Sequence, residues 1–190
     1  MLEILGVRID NLTWEEAEDK IREFLNDGKQ HKIFTPNPEM LVLAHNLPMF
    51  KSTLNSSDLN LCDGFGITLV SKGKIKRIPG TDFIQTICKV ASQSNKNLFL
   101  LGTNNLSILE RVKEELNKQF VQLNISGVDT GIKIDIVEGG IKYDNEENNK
   151  LIQRINQSGA EILIVAFGQI KQEQWISQNL SKLNNVKVAI

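Results

Sequence analysis

Short apolar runs take turns along the chain with longer stretches in which apolar residues recur every three to four positions, strand then helix, almost from end to end. This alternation predicts an α/β domain, because parallel strands need long crossovers and helices supply them. The expected architecture is a mostly parallel sheet with helices on both faces. Residues 2–5 open as a strand, and Gly6-Val7-Arg8-Ile9-Asp10 connect it to the first helix. Thr13 with Glu16 reads as a capping box for that helix, Trp14, Ala17, Ile21 and Leu25 as its inner face, and Gly28 as its stop. His31–Phe34 is the next strand. Asn37 before Pro38 places an N-cap residue ahead of a proline at the first helical position, so a helix starts there and runs toward His45, with Pro48 starting another.

Residues 59–62 read as a strand, and Asp63-Gly64-Phe65-Gly66 as a tight strand-to-helix connection whose glycines leave room for a ligand near the backbone. Lys72-Gly73-Lys74-Ile75-Lys76-Arg77 is a basic loop. Pro79-Gly80-Thr81-Asp82 turns the chain into a helix through Ile84, Ile87 and Val90, with Thr81 as cap. A strand over 97–101 follows, and Gly102-Thr103 enters a helix carrying Leu106, Leu109, Val112 and Leu116. Residues 123–127 read as a strand, whereas 129–143 is glycine-containing, has no clean period, and is expected to be a loop with hairpin character. A helix over 146–156, a β-branched buried strand over 161–167, a helix after Gly168 and an apolar strand over 186–190 complete the order. A parallel strand needs cover on both faces, so a chain that closes on one is expected to lack a C-terminal part. No internal repeat, low-complexity tract or linker interrupts the pattern, and residues 1–190 are expected to form one domain.

Composition narrows the function. With 41% hydrophobic and 24% charged residues the chain matches neither disordered nor coiled-coil proteins. Twenty-two Lys and Arg against 23 Asp and Glu leave a net charge of −1, so nucleic acid is not an expected partner. Cys62 and Cys88 sit in apolar stretches without a second ligand at metal spacing, which favours a reducing cytoplasm. No apolar run of about 18 residues is present to span a bilayer, which leaves surface attachment open.

Open α/β sheets bind ligands beyond the carboxyl ends of their strands. Four polar segments stand there: Thr35-Pro36-Asn37-Pro38-Glu39, Asp63-Gly64-Phe65-Gly66, Gly102-Thr103-Asn104 and Gly168-Gln169-Ile170-Lys171-Gln172-Glu173. Asp63 after an apolar strand is a candidate general base, though the same position suits an Asx turn or a cap. Thr35 and Asn37 are placed to hold a sugar or phosphate, with capping as the plainer role of Asn37. Arg77 can clamp a phosphate bidentately, although a basic loop more often faces solvent. Lys171, Gln172 and Glu173 crowd three long polar side chains into one helical turn. His31 and His45 lack thiol or carboxylate partners in a motif and read as structural, Trp14 and Trp175 read as core, and Cys62 reads as a buried small hydrophobe. The chain has no Gly-x-x-x-x-Gly-Lys-Ser/Thr loop and no Gly-x-Gly-x-x-Gly fingerprint after its first strand, which disfavours NTPases and nicotinamide-dependent enzymes.

Taken in order, Thr35-Pro36-Asn37-Pro38-Glu39, Cys62-Asp63-Gly64-Phe65-Gly66, Arg77-Ile78-Pro79-Gly80-Thr81-Asp82 and Gly168-Gln169-Ile170-Lys171-Gln172-Glu173-Gln174-Trp175 resemble the WecG/TagA/CpsF family of bacterial glycosyltransferases. The resemblance covers essentially the whole chain. It implies a Rossmann-like α/β fold and transfer of N-acetylmannosamine from UDP-ManNAc to undecaprenyl-diphosphate-linked GlcNAc, a step of wall teichoic acid linkage-unit synthesis. The implied reaction inverts the anomeric centre and needs neither metal nor other cofactor. By the same likeness Asp63 deprotonates the acceptor and Arg77 neutralises the departing UDP. Thr35, Asn37 and Gln172 line the pocket, and Gly64, Gly66, Gly102, Gly168, Lys171 and Glu173 belong to the substrate-binding set. Ile170 stands where the family usually has proline, which is expected to alter that turn.

The resemblance also implies a Gly-rich and arginine-bearing tail beyond residue 190. Without it the chain is expected to bind UDP yet turn over slowly, and to touch the membrane surface less, since contact is expected mainly through that tail. A homo-oligomer, peripheral at the inner face of the cell membrane, is implied as well. The alternatives are a non-catalytic nucleotide-sugar-binding module and a family member using another donor, UDP-ManNAcA or UDP-glucose.

Overall fold

The computed structural model describes residues 2–190. It opens on a hairpin rather than a single strand: β1 (Leu2–Ile4) pairs antiparallel with β2 (Val7–Ile9) through Leu5 and Gly6, both at positive φ (52° and 82°). Positive φ at two successive turn residues matches the right-handed twist of the flanking strands. Val7 and Ile9 are fully buried, so the segment expected to connect strand to helix is itself a strand. Its three residues are too few to show a period. Helix α1 (Trp14–Asn26) starts on the expected capping box: the Thr13 hydroxyl accepts from the Glu16 amide at 3.1 Å and the Glu16 carboxylate from the Thr13 amide at 2.7 Å. Trp14 is half-buried instead of core, and its indole N–H donates to the Thr86 hydroxyl at 2.8 Å.

The elements that follow are β3 (His31–Phe34), α2 (Pro38–Asn46), α3 (Pro48–Asn55), β4 (Leu59–Asn60), α4 (Phe65–Val70), α5 (Gly80–Gln93), β5 (Asn97–Gly102), α6 (Leu106–Gln119) and β6 (Asn124–Asp129). A small antiparallel hairpin of β7 (Asp135–Val137) and β8 (Gly140–Lys142) gives 129–143 the hairpin character expected of it. Then come α7 (Asn145–Gln157), β9 (Ile162–Ala166), α8 (Lys171–Asn179), a 3-10 turn over Leu180–Lys182, and β10 (Val188–Ala189). Two helix starts differ from expectation. Helix α5 begins at Gly80 with no side-chain cap from Thr81, and α6 is capped by Asn105, whose carboxamide oxygen accepts from the Ser107 amide at 3.0 Å.

Six strands form one parallel sheet in the order β4-β3-β10-β9-β5-β6. Their apolar side chains alternate between two cores, as the two-residue period of a strand requires. Ile33, Leu98, Leu100, Ile162, Ile164 and Val188 pack with α1, α5 and α6, while Phe34, Phe99, Leu101, Leu163, Val165 and Ala189 pack with α2, α3, α7 and α8. This is the Rossmann-like arrangement with helices on both faces. The strand at 186–190 has cover on both faces, Val188 in one core and Ala189 in the other, and it lies in mid-sheet, where Val188 pairs with His31 on one side and Ile162 on the other. His31 does have carboxylate partners, delivered by the fold. Its imidazole lies 3.0 Å from Asp27 and 3.3 Å from Asp58 and stacks on Phe24 with ring centroids 3.9 Å apart. Among the described residues no helix is long and apolar enough to cross a membrane.

Candidate active site

Beyond the carboxyl ends of β3, β4, β9 and β10 lies a cleft of about 310 Å³, lined in part by Thr35, Asn37, Asp63, Gly80, Thr81, Gln169 and Gln172. Each wall residue is fixed by local backbone chemistry. Thr35 leaves β3 directly, and Asn37 caps α2 by accepting from the Met40 amide at 2.9 Å. Asp63 follows β4; its amide donates to the Pro36 carbonyl at 3.0 Å, which holds the two loops side by side. The Asp63 carboxylate crosses the cleft floor and its Oδ2 accepts from the Gly80 amide at 2.9 Å. Thus Asp63, 17 residues away, does for α5 what Thr81 was expected to do, and the positive end of α5 faces an anion.

The other oxygen, Oδ1, lies 3.8 Å from Nη2 of Arg77, whose side chain is half exposed. That distance is a loose ion pair in solvent, so the guanidinium is not committed to Asp63. Gly80 is required by packing: a Cβ there would sit 2.7 Å from the Thr35 hydroxyl. Similar contacts account for other glycines. The space expected beside Gly64 and Gly66 is filled by the Pro38 ring, which would stand 2.4 and 2.9 Å from a Cβ at these two positions, and at Gly102 a Cβ would meet the Ala166 carbonyl at 2.5 Å. Gly168 is open, with φ of 87°. Its amide donates to the Gln172 side chain at 3.1 Å, which folds Gln172 back along the cleft wall.

The structure therefore brings Thr35, Asn37, Asp63 and Gln172 to one cleft, with Arg77 at its edge. Lys171 lies next door, in a cavity of about 400 Å³ shared with Asn104, Thr130, Gly131 and Lys133; Ala166 lines both spaces. Glu173 is in neither lining. It is 2% exposed, one carboxylate oxygen has no partner, and burial pushes its pKa up to about 7, while the amides of Glu173 and Ile170 and the Gln172 side chain pull the other way. Ile170, before it, has φ of 71°, a value the proline ring cannot adopt, so this turn does depart from a proline-containing one. Burial also raises both thiols, Cys88 to about 12, in keeping with small apolar roles. Among the described residues no group of three His, Cys, Asp or Glu side chains is placed to hold a metal ion.

Sequence pattern does not mark Gly80 and Thr81 in the first cleft, or Gly131 and Lys133 in the second, as binding residues, and it offers Gln169 only as a member of the polar segment after Gly168. Gly80 reads as part of a turn and Thr81 as a helix cap, and the aperiodic 129–143 stretch offers no element on which to place Gly131 and Lys133.

Comparison with known proteins gives the same family as the motifs. The model of the Glycosyl transferase WecG/TagA/CpsF family matches residues 2–190. The chain is also similar to proteins of Staphylococcus aureus, strains NCTC 8325 / PS 47 and COL, named N-acetylglucosaminyldiphosphoundecaprenol N-acetyl-beta-D-mannosaminyltransferase. Each is 27% identical to it over 182 residues, a match covering 92% of this chain and 66% of the relative. The chain thus spans just under two thirds of the length of these relatives.

Proposed function

The chain belongs to the WecG/TagA/CpsF family of glycosyltransferases, and from that premise we propose that it transfers N-acetylmannosamine from UDP-ManNAc to the GlcNAc of an undecaprenyl-diphosphate acceptor. The observation that carries the reading is Asp63, an acidic side chain at a strand end, open to a cleft of sugar-sized volume, with one oxygen anchored by an amide and the other free of any tight bond. In the proposed single displacement the acceptor hydroxyl attacks the anomeric carbon and its proton passes to Asp63. The bond to the UDP oxygen breaks with its electron pair, and the configuration inverts. Arg77 meets the charge of the departing diphosphate, the task a metal performs elsewhere. Thr35, Asn37 and Gln172 hold the sugar, and Lys171 and Lys133 in the adjoining cavity are the nearest additional cations to diphosphate lying across Ala166.

Calorimetric titration with UDP, in EDTA and then with Mg²⁺, tests the binding half of this reading. Saturable binding in EDTA supports metal-independent recognition, and no binding in either condition overturns it. Asp63→Asn tests the chemical half. Transfer is expected to fall by about 10²–10⁴-fold, the usual contribution of a positioned base, with UDP affinity unchanged. Loss of UDP affinity in the same variant would instead make Asp63 a ligand-holding residue.

A further inference from the structure

Most of the surface mixes both signs of charge, but residues 64–81 hold four cations, Lys72, Lys74, Lys76 and Arg77, and no carboxylate. The same segment contains α4, which turns large apolar side chains outward: Phe65 is 70% exposed, Leu69 67% and Val70 70%. Phe65 and Leu69 are one helical turn apart and share a face. After α4 the chain folds back on it. The Lys72 amide donates to the Leu69 carbonyl at 3.0 Å, and the Gly73 amide to the Thr68 carbonyl at 2.9 Å. The irregular segment that returns from α4 brings Arg77 to Asp63, so the lysines run back toward the start of the helix. Buried Ile67 and Ile75 hold this excursion to the body of the protein. Its two ends, Asp63 and Gly80, are bonded to each other and line the cleft.

Exposed apolar side chains flanked by cations, with no anion among them, are the chemistry that binds an anionic lipid surface, the apolar groups entering the acyl boundary and the cations meeting the headgroups. We propose that Phe65, Leu69 and Val70 of α4, together with Lys72, Lys74 and Lys76, form a docking surface for an anionic bilayer, one that seats the mouth of the Asp63 cleft against the membrane. The benefit to transfer rests on the reading above, in which the acceptor is lipid-linked; the docking itself does not.

The test is co-sedimentation of the 190-residue chain with phosphatidylcholine vesicles, with and without about one third phosphatidylglycerol. Binding is expected only to the anionic vesicles, and it should weaken with salt. Phe65→Ser with Leu69→Ser and Val70→Ser is expected to lower partitioning by more than about tenfold. Lys72→Glu with Lys74→Glu and Lys76→Glu should lower it by at least roughly a hundredfold, since losing each positive charge costs about fivefold and the new carboxylates are repelled as well. UDP titration should be unchanged in both variants. If the apolar variant fails to fold, the lysine variant, which alters only exposed charges, still decides. Equal binding by the variants, or no binding by the unaltered chain, overturns the proposal. So does concentration-dependent self-association, seen by sedimentation velocity and removed by the apolar substitutions, since the patch would then meet a second copy. Vesicle binding without UDP binding would sink the transferase reading and leave the docking surface intact.

Discussion

Glu173 shows how one residue can be conspicuous in sequence for one reason and constrained in structure for another. As part of Lys171-Gln172-Glu173 it reads as a site residue, yet its carboxylate lies in the protein interior with one oxygen unpartnered. Its pKa in the fold, about 7, lies above the ordinary 4.5, so the native state holds the proton more tightly than the unfolded chain does. The stability this provides is complete below about pH 4.5 and is lost as pH rises through 7. Glu173→Gln should therefore leave stability nearly unchanged at pH 4.5 and raise it by on the order of 3 kcal/mol at pH 8, read from urea unfolding at both values. Gly80 is the opposite case, silent in sequence and exacting in structure. Gly80→Ala places a methyl against the Thr35 hydroxyl and strains the amide that Asp63 holds, so UDP affinity should drop by about tenfold or more in calorimetry. Thr35 and Asp63 are legible because each directly follows an apolar run, and Asn37 because it stands just before Pro38 at the start of a helix. Gly80 is not, because what it touches is set by a loop 17 residues away.

Among the elements, the helices are the most legible, since their caps are local. Thr13 with Glu16 and Asn37 with Pro38 act as the sequence suggests. Asn37→Ala should cost about 1 kcal/mol of stability by leaving the Met40 amide without its acceptor, measurable by urea unfolding. What the sequence hides is how helices join. The Trp175 indole donates to the Asn148 carboxamide at 2.8 Å, Asn148 to Asn179 at 2.9 Å, and Asn179 to the Trp175 carbonyl at 3.0 Å, tying α7 to α8 inside the core. Trp175 reads correctly as core, but nothing in its spacing announces an amide partner 27 residues earlier. Asn148→Ala orphans the indole N–H inside the core and leaves the Asn179 oxygen with Lys182 alone, at 3.2 Å, a loss expected at about 1–3 kcal/mol in urea unfolding. Very short elements escape sequence reading for a simpler reason. Three-residue strands such as β2, β7 and β8 complete barely one repeat of their period, so hydrophobic patterning cannot distinguish them from loop.

For the whole molecule, alternation gives the class of the fold but not the order of its strands. Apolar runs at 97–101 and 161–167 look equally buried, and neighbours in the sheet are chosen by crossover packing that leaves no mark on either run. The insertion of β10 between β3 and β9 is the clearest instance. Only two residues of it satisfy the strand pattern, yet they bridge the two halves of the sheet, and both are fully buried. Removing residues 186–190 should abolish the cooperative thermal transition followed by circular dichroism, because the unpaired backbone of β3 and β9 would be left inside the protein.

That bridging position sets the timetable for acquiring the native state on the ribosome. Synthesis runs from the amino end, so β3 and β4 emerge early and wait for about 150 more residues before the strand that joins them to β9 exists. Until then the nascent chain carries two half-sheets with open parallel edges, each a template for the wrong neighbour. Long-range pairing of this kind makes folding slow and exposes it to aggregation. The wide separation in sequence between β3 and the strand that joins it to β9 is expected to make closure of the sheet the slow step of refolding in vitro.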